Sequence, residues 1–336
     1  MNSNHYFPLP NLRGKGKNIF LNRKPDKNEN GLIFLLLVLI IFLTQNVSAG
    51  SGTDSAAFLD IPVGAAPAAL GNAYTALAND AYAATYNPGG LAFISETQFS
   101  AMHLSFLDSI KYEYASFAIP IKSQSNNFGG LGGAIYYLTP GNIPRTDQFG
   151  SSTGDFSSRF SAYSLSYGFA FNENGGIGLT GKTLNAKIDD ETAQTFVGDI
   201  GTFFRILSTW NIGASFNNWG SKLKFIEEKE SLPQELRLGT AVRPASFLLM
   251  SLETAFPKNE QAQFRGGLQF RINKVFDIQT GYRSDVNKGT TGLTGLSFGA
   301  GFHIFNQQIN YAWVPYGNLG NTHYFSILVR LRKMRP

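Results

Sequence analysis

Beyond residue 96 the chain alternates between apolar and polar or small positions with a period of two. Across 163–171, Tyr163, Leu165, Tyr167, Phe169 and Phe171 are separated by Ser164, Ser166, Gly168 and Ala170. In "WNIGASFNN", Trp210, Ile212, Ala214 and Phe216 hold one parity, and Asn211, Gly213, Ser215 and Asn217 the other. "QFRGGLQFR" sets Phe264, Leu268 and Phe270 against Gln263, Arg265, Gln269 and Arg271. Near the end, Phe325, Ile327, Val329 and Leu331 oppose Tyr324, Ser326, Leu328 and Arg330. Successive side chains of a strand point to opposite faces, so each run predicts a strand with one apolar face.

About fourteen such segments follow one another, near 97–107, 110–121, 129–139, 157–171, 176–188, 192–206, 209–218, 235–243, 247–256, 262–272, 275–284, 292–304, 307–314 and 322–331. Strands of soluble proteins average about 5–6 residues, whereas about 9–11 tilted residues cross a bilayer. Most of these segments are of the longer kind. Hydrocarbon offers no hydrogen-bond partners, so a sheet inside it must close on itself. The pattern therefore predicts an all-β fold, an antiparallel transmembrane β-barrel of about fourteen strands over 96–331, with a tail at 332–336. Aromatic residues near strand ends (Tyr136 and Tyr137, Phe203 and Phe204, Tyr282, Trp313 to Tyr316) fit interfacial girdles. A soluble two-sheet sandwich is the competing architecture. Strand length argues against it.

Residues 50–95 break the rhythm. Ala66, Ala69, Leu70, Ala73, Leu77 and Ala81 fall at helical spacing in a stretch of small residues, which suits close packing inside a barrel. The expectation is a short helical or irregular plug. Asn87-Pro88-Gly89-Gly90 should end it, because proline disfavours the helical region for the residue before it and glycine opens other conformations. On this reading the tetrapeptide is the hinge between plug and wall.

Composition agrees: 36 Gly, 29 Phe and 14 Tyr, with 15% charged residues, against about 25% in soluble domains. Residues 1–30 are polar and basic, and Leu32 to Leu43 is an apolar run followed by Val47-Ser48-Ala49. That is the layout of a signal peptide over 1–49, cleaved after Ala49, and implies export to the bacterial outer membrane. A retained anchor is the alternative, but the run falls short of the roughly 20 apolar residues that a spanning helix needs. Removing the leader takes away six positive and two negative charges, so the net charge falls from +5 to about +1. No basic patch is left for nucleic acid. Without cysteine, neither disulfides nor thiolate chemistry is available.

The plug carries a resemblance. "ALGNAYTALANDAYAATYNPGGLA" resembles the N-terminal signature of the PorV/PorQ family of outer-membrane proteins, within the broader FadL-like barrels. The matching positions are Gly71, Ala73, Tyr74, Ala76, Asp80, Asn87, Pro88, Gly90 and Leu91; Gly89 departs from the family's usual alanine. "NLGNTHYFSILVRL" is similar to the family's last strand. The resemblance implies a monomeric barrel plugged by its N-terminal segment. Its expected partners are outer-membrane lipid and, for a type IX secretion component or adaptor, a translocon and cargo proteins. The alternative it carries is a FadL-like transporter of hydrophobic small molecules.

Catalytic patterns are weak. Gly295-Leu296-Ser297-Phe298-Gly299 matches a nucleophile elbow, but that chemistry needs a strand-to-helix turn and the strand pattern here continues. His5, His103, His303 and His323 lie far apart in sequence and lack metal spacing. Asp189-Asp190-Glu191 reads as a solvated hairpin tip rather than a calcium site. No enzymatic activity, cofactor or metal is expected. Arg237, Arg243, Arg265, Arg271 and Arg283 fall mostly on polar faces. Arg237, Arg265 and His303 are the candidate lumen-lining residues, with the arginines expected to pair with plug carboxylates; a weak anion path is the competing reading. The block "SKLKFIEEKESLPQE" reads as an external loop with a short helix.

Overall fold

The computed structural model describes residues 56–106, 110–123, 126–225, 228–287 and 293–331; the leader, its cleavage point and the tail lie outside them. Fourteen antiparallel strands form the wall: β1 (Thr97–Phe106), β2 (Ile110–Ser123), β3 (Asn126–Thr139), β4 (Ser152–Ala170), β5 (Gly175–Ile188), β6 (Glu191–Leu207), β7 (Trp210–Gly220), β8 (Glu235–Ala245), β9 (Leu248–Pro257), β10 (Gln263–Arg271), β11 (Phe276–Arg283), β12 (Leu296–Ile304), β13 (Gln307–Pro315) and β14 (Asn321–Leu331). Neighbours in sequence pair throughout, and β1 pairs with β14 from Thr97↔Leu331 to Phe106↔Thr322, so the sheet closes. The fourteen expected segments correspond one to one with these strands.

Alternation sorts each strand's side chains. Leu165, Tyr167 and Phe169 are exposed on the outer face, whereas Ser166 and Gly168 between them are buried. Around the barrel Phe99, Ile135, Leu179, Phe196, Ile278, Ile309 and Phe325 continue that apolar outer face. It is the surface a barrel presents to lipid. Period two also splits the expected girdle pairs. Tyr136 and Phe203 face inward and are buried, while Tyr137 and Tyr282 face out.

The two ends differ. Residues 171–174, 208–209, 246–247, 272–275 and 305–306 turn the chain at one end, where β1 begins and β14 stops. At the other end 140–151, 221–234 and 284–295 form longer connections. Outer-membrane barrels keep short turns on the periplasmic side and long loops outside. The charged 221–234 loop holds no helix among its described residues; Leu223–Phe225 pairs with Glu228–Glu230 as a hairpin. Leu223 and Leu232 tuck into the same buried cluster as the plug residue Phe58.

The segment 56–95 fills the lumen, entering beside Tyr112 and Phe160 near the long-loop end and leaving into β1 at the short-turn end. The helix expected across Ala66 to Ala81 is interrupted. Only α1 (Ala65–Ala69) and α2 (Ala83–Tyr86) are α-helical, and Gly71 and Asn72 adopt left-handed conformations at φ 62° and 63°. The wall sets this irregular course. It offers inward glycines, and several stand opposite one another across strands: Gly130↔Gly168, Gly168↔Gly178, Gly178↔Gly201, Gly213↔Gly239 and Gly267↔Gly281.

On this glycine belt the plug backbone lies almost in contact with the wall backbone. A methyl added at Gly178 would sit 2.2 Å from the Pro88 carbonyl oxygen, and one at Gly281 would sit 2.1 Å from the Gly71 nitrogen. The corresponding clashes are 2.6 Å with Thr75 O at Gly213 and 2.5 Å with Leu91 O at Gly130. A straight helix of radius about 2.3 Å plus side chains could not lie this close along the belt.

Gly178→Ala should therefore dislodge the plug while leaving the wall intact, at a cost of about 1–3 kcal/mol. Limited proteolysis with an aromatic-specific protease should cut 56–95 in this variant while the barrel keeps its heat-modifiable gel mobility. Gly181→Ala, where an added methyl meets nothing within 4 Å, should behave as wild type.

Candidate functional site

The residues that carry the family resemblance all hold plug to wall or plug to itself. The Tyr74 hydroxyl donates to Asp80 Oδ2 at 2.7 Å, and the Tyr82 amide donates to Asp80 Oδ1 at 3.0 Å. Asn87 is a three-way clasp. Its Nδ2 donates to Thr75 O at 3.0 Å and Thr202 O at 2.8 Å, and its Oδ1 accepts from Gly89 N at 3.1 Å.

Pro88 opens a 3-10 helix, Pro88–Phe93. Gly90 passes so close to Ala78 that an added methyl would sit 1.6 Å from its carbonyl oxygen. Leu91 is buried, its methyls against the space over Gly132. Ala73 and Ala76 are buried too, and Gly71 rests on the backbone of β10 and β11. A methyl at Gly89 would meet Gly201 O at 2.8 Å, which accounts for glycine there in this chain.

The expectation that Asn87 to Gly90 forms the hinge into the wall is corrected. The tetrapeptide rests on Gly168, Gly178 and Gly201 inside the lumen, and the chain leaves for β1 only after Ile94. The polar clasp and the glycine contacts hold it there.

The wall facing the plug has two arcs. On β1 to β3 the inward residues Met102, Leu104, Tyr112, Tyr114, Tyr136 and Leu138 are apolar or aromatic and buried, with Gln98, Ser100 and Ser116 below them towards the short-turn end. On β8 to β12 they are Glu235, Arg237, Glu253, Arg265, Asp277 and Gln279, also buried. The plug lies between, with Phe58, Tyr82 and Tyr86 in the cluster that includes the aromatic arc. Tyr82 stacks on Tyr114 at 6.0 Å.

On the polar arc the glycine belt is interrupted at Glu253, which stands opposite Gly239. Glu253 Oε2 accepts the backbone amides of Tyr74 at 3.1 Å and Thr75 at 2.9 Å. Its Oε1 receives Arg265 Nη1 at 3.1 Å. Arg265 Nη2 also reaches Glu235 Oε1 at 2.5 Å, and Glu235 is paired with Arg237. Arg237 lies over the Tyr86 ring at 5.7 Å.

Arg237 and Arg265 do line the lumen, but the expected pairing with plug carboxylates is corrected. Their partners are wall glutamates, and the plug contributes amides and an aromatic ring. Glu253 was legible only as a lone charge at an inward position of an otherwise uncharged strand. His303 also faces the lumen, where its Nε2 lies 2.5 Å from Asp277 Oδ2. Ser297 stays within β12 and donates to Ala69 O at 2.9 Å, holding α1 rather than forming an elbow.

No protein-family model matches the sequence, and no curated protein sequence matches it. Among solved structures, the chain is similar to the toluene transporter TbuX of Ralstonia pickettii, with 14% identity and a TM-score of 0.54, over 80% of this chain and 98% of that one. It is also similar to the toluene transporter TodX of Pseudomonas putida, with 10% identity and a TM-score of 0.50, over 76% and 95% of the two chains. A FadL homologue of Pseudomonas aeruginosa aligns over 83% of this chain and 98% of that one, at 10% identity and a TM-score of 0.45. At this identity the likeness is one of fold. It shows a closed, fourteen-stranded antiparallel barrel shared with TbuX.

Removing one partner of a buried ion pair typically costs about 3–5 kcal/mol. Glu253→Ala also leaves two plug amides without their acceptor, so its unfolding midpoint on heating should drop well below that of wild type. Glu253→Gln keeps an amide-accepting oxygen and should fall between the two.

Proposed function

We propose that this protein passes small hydrophobic molecules across the outer membrane, along the aromatic arc and past a displaced plug. The observation that carries the reading is the two-arc lumen. A water-filled porin has a polar interior, whereas β1 to β3 here present tyrosine, leucine and methionine inward over their long-loop halves. Such a face solvates an apolar solute and repels a hydrated one. The FadL-like fold, shared with barrels named as toluene transporters, supports the same reading.

The plug occupies the route. The cavity beside Leu59 to Val63 measures only about 20 Å³, too small for an aromatic hydrocarbon. Passage therefore requires 56–95 to shift off the belt. The secretion-adaptor role rests on the PorV/PorQ resemblance alone. Its signature residues serve to seat the plug, a need that either role shares.

Cells lacking their own hydrocarbon uptake proteins and expressing the full chain should take up labelled toluene faster than vector-only cells, with no change for a hydrophilic sugar. Glu253→Ala should raise that rate by loosening the plug. Toluene uptake equal to the vector control, in wild type and variant alike, would sink the transport reading. Loss of surface-delivered proteins on deletion in the native host would then favour the secretion role.

A further inference from the structure

The lumen arginines divide into two groups by their partners. Towards the long-loop end Arg237, Arg265 and Arg283 are each matched with a carboxylate: Glu235, Glu235 with Glu253, and Asp285. Towards the short-turn end lie Arg243 on β8, Arg271 on β10 and Arg330 on β14. Among the described residues no carboxylate pairs with any of these three, and Arg330 reaches only the amide oxygen of Gln308 at 3.5 Å. Two other cations at this end contact the departing plug: Arg205 lies over the Phe93 ring at 4.2 Å and Lys122 donates to Ser95 O at 3.4 Å.

All three unmatched arginines line one cavity of about 420 Å³, roofed by the plug residues Leu70 and Leu77. Arg243 and Arg271 are exposed and Arg330 is half-buried, so three strands separated around the wall bring their positive charge to one half-open cavity. The carboxylates nearby offset it only in part. Asp80 lines the same cavity and lies within electrostatic reach of Arg330, but its oxygens already accept from Tyr74 and Tyr82, and Asp277 faces His303. Glu96 at the rim is the remaining one, which leaves the cavity with an excess of positive charge.

From this we infer that the periplasmic vestibule is an anion site that takes an oxyanion, a phosphate or carboxylate group, among Arg243, Arg271 and Arg330. Guanidinium groups bind such oxygens bidentately, and Gln269 on the same wall supplies a neutral donor. The site is separate from the aromatic arc and does not depend on which apolar solute the barrel carries. The oxyanion has two sources, a free small molecule in the periplasm or the headgroup of an anionic lipid at the rim.

The test is calorimetric titration of the full chain with inorganic phosphate, in nanodiscs of phosphatidylcholine, with chloride at matched ionic strength as the control. Wild type should bind phosphate over chloride. Arg243→Gln/Arg271→Gln, checked for folding by heat-modifiable mobility, should bind at least about tenfold more weakly. Arg145→Gln, at the opposite end, should bind as wild type. Repeating the titration with phosphatidylglycerol in the nanodiscs separates the sources. Undiminished phosphate binding there assigns the site to a free anion. Binding lost there, together with weaker retention of phosphatidylglycerol by the double variant, assigns it to a lipid headgroup. Wild-type phosphate binding no stronger than chloride, or equal binding by the double variant, overturns the inference.

Discussion

The structure depends on backbone meeting backbone inside a membrane-spanning wall. An irregular chain at bilayer depth is tolerated only where its amides and carbonyls find partners within the protein. Here residues 70–82 and 87–94 meet that demand by lying on the wall itself. Inward glycines on β3 to β8 and on β10 to β12 remove the side chains that would hold the two backbones apart. The same choice explains the glycine-rich composition, since these residues serve spacing rather than flexibility. It also explains why a stretch with helical alanine spacing forms only two short helices.

Where the belt is broken, a charge replaces it. Glu253 stands at the point where β9 carries no inward glycine opposite Gly239, and its carboxylate binds the amides of Tyr74 and Thr75 directly. An isolated carboxylate there would be costly to bury, and Arg265, Glu235 and Arg237 complete a chain of alternating charge that offsets that cost. The polar arc is thus the side that grips the plug. The aromatic arc across the lumen touches it through rings and through neutral hydrogen bonds, such as those of Tyr114 and Tyr136 with the Thr85 hydroxyl, and carries no charged contact to the plug backbone like that of Glu253. Any movement of the plug should therefore open on the aromatic side.

Much of this was legible in the sequence, and the limits were physical. Strand positions and faces followed from period two, because a lipid-facing surface and a packed lumen impose opposite demands on alternate residues. Ser166 and Gly168 between Leu165 and Phe169 show the rule at work. The plug's existence was legible from the loss of that period. Its conformation was not, because Ala66 to Ala81 carries local helical spacing that the tertiary contact with Gly213, Gly267 and Gly281 overrides. The partners of Arg237 and Arg265 were hidden for a related reason. Pairing across a barrel depends on strand register, so Glu253 and Arg265 meet only once β9 and β10 are aligned.

A closed plug and an apolar arc give the proposed transport one joint requirement: the plug must leave the belt before a hydrophobic molecule can pass. The chain has no native cysteine, so one engineered pair can lock it. A Cβ built on Gly239 would lie 3.6 Å from the Cβ of Ala76, within the span of a disulfide. The decisive measurement is toluene uptake by the Ala76→Cys/Gly239→Cys protein, oxidised and then reduced. Uptake abolished by oxidation and restored by reduction is the predicted result; equal uptake in the two states would contradict a plug that must move.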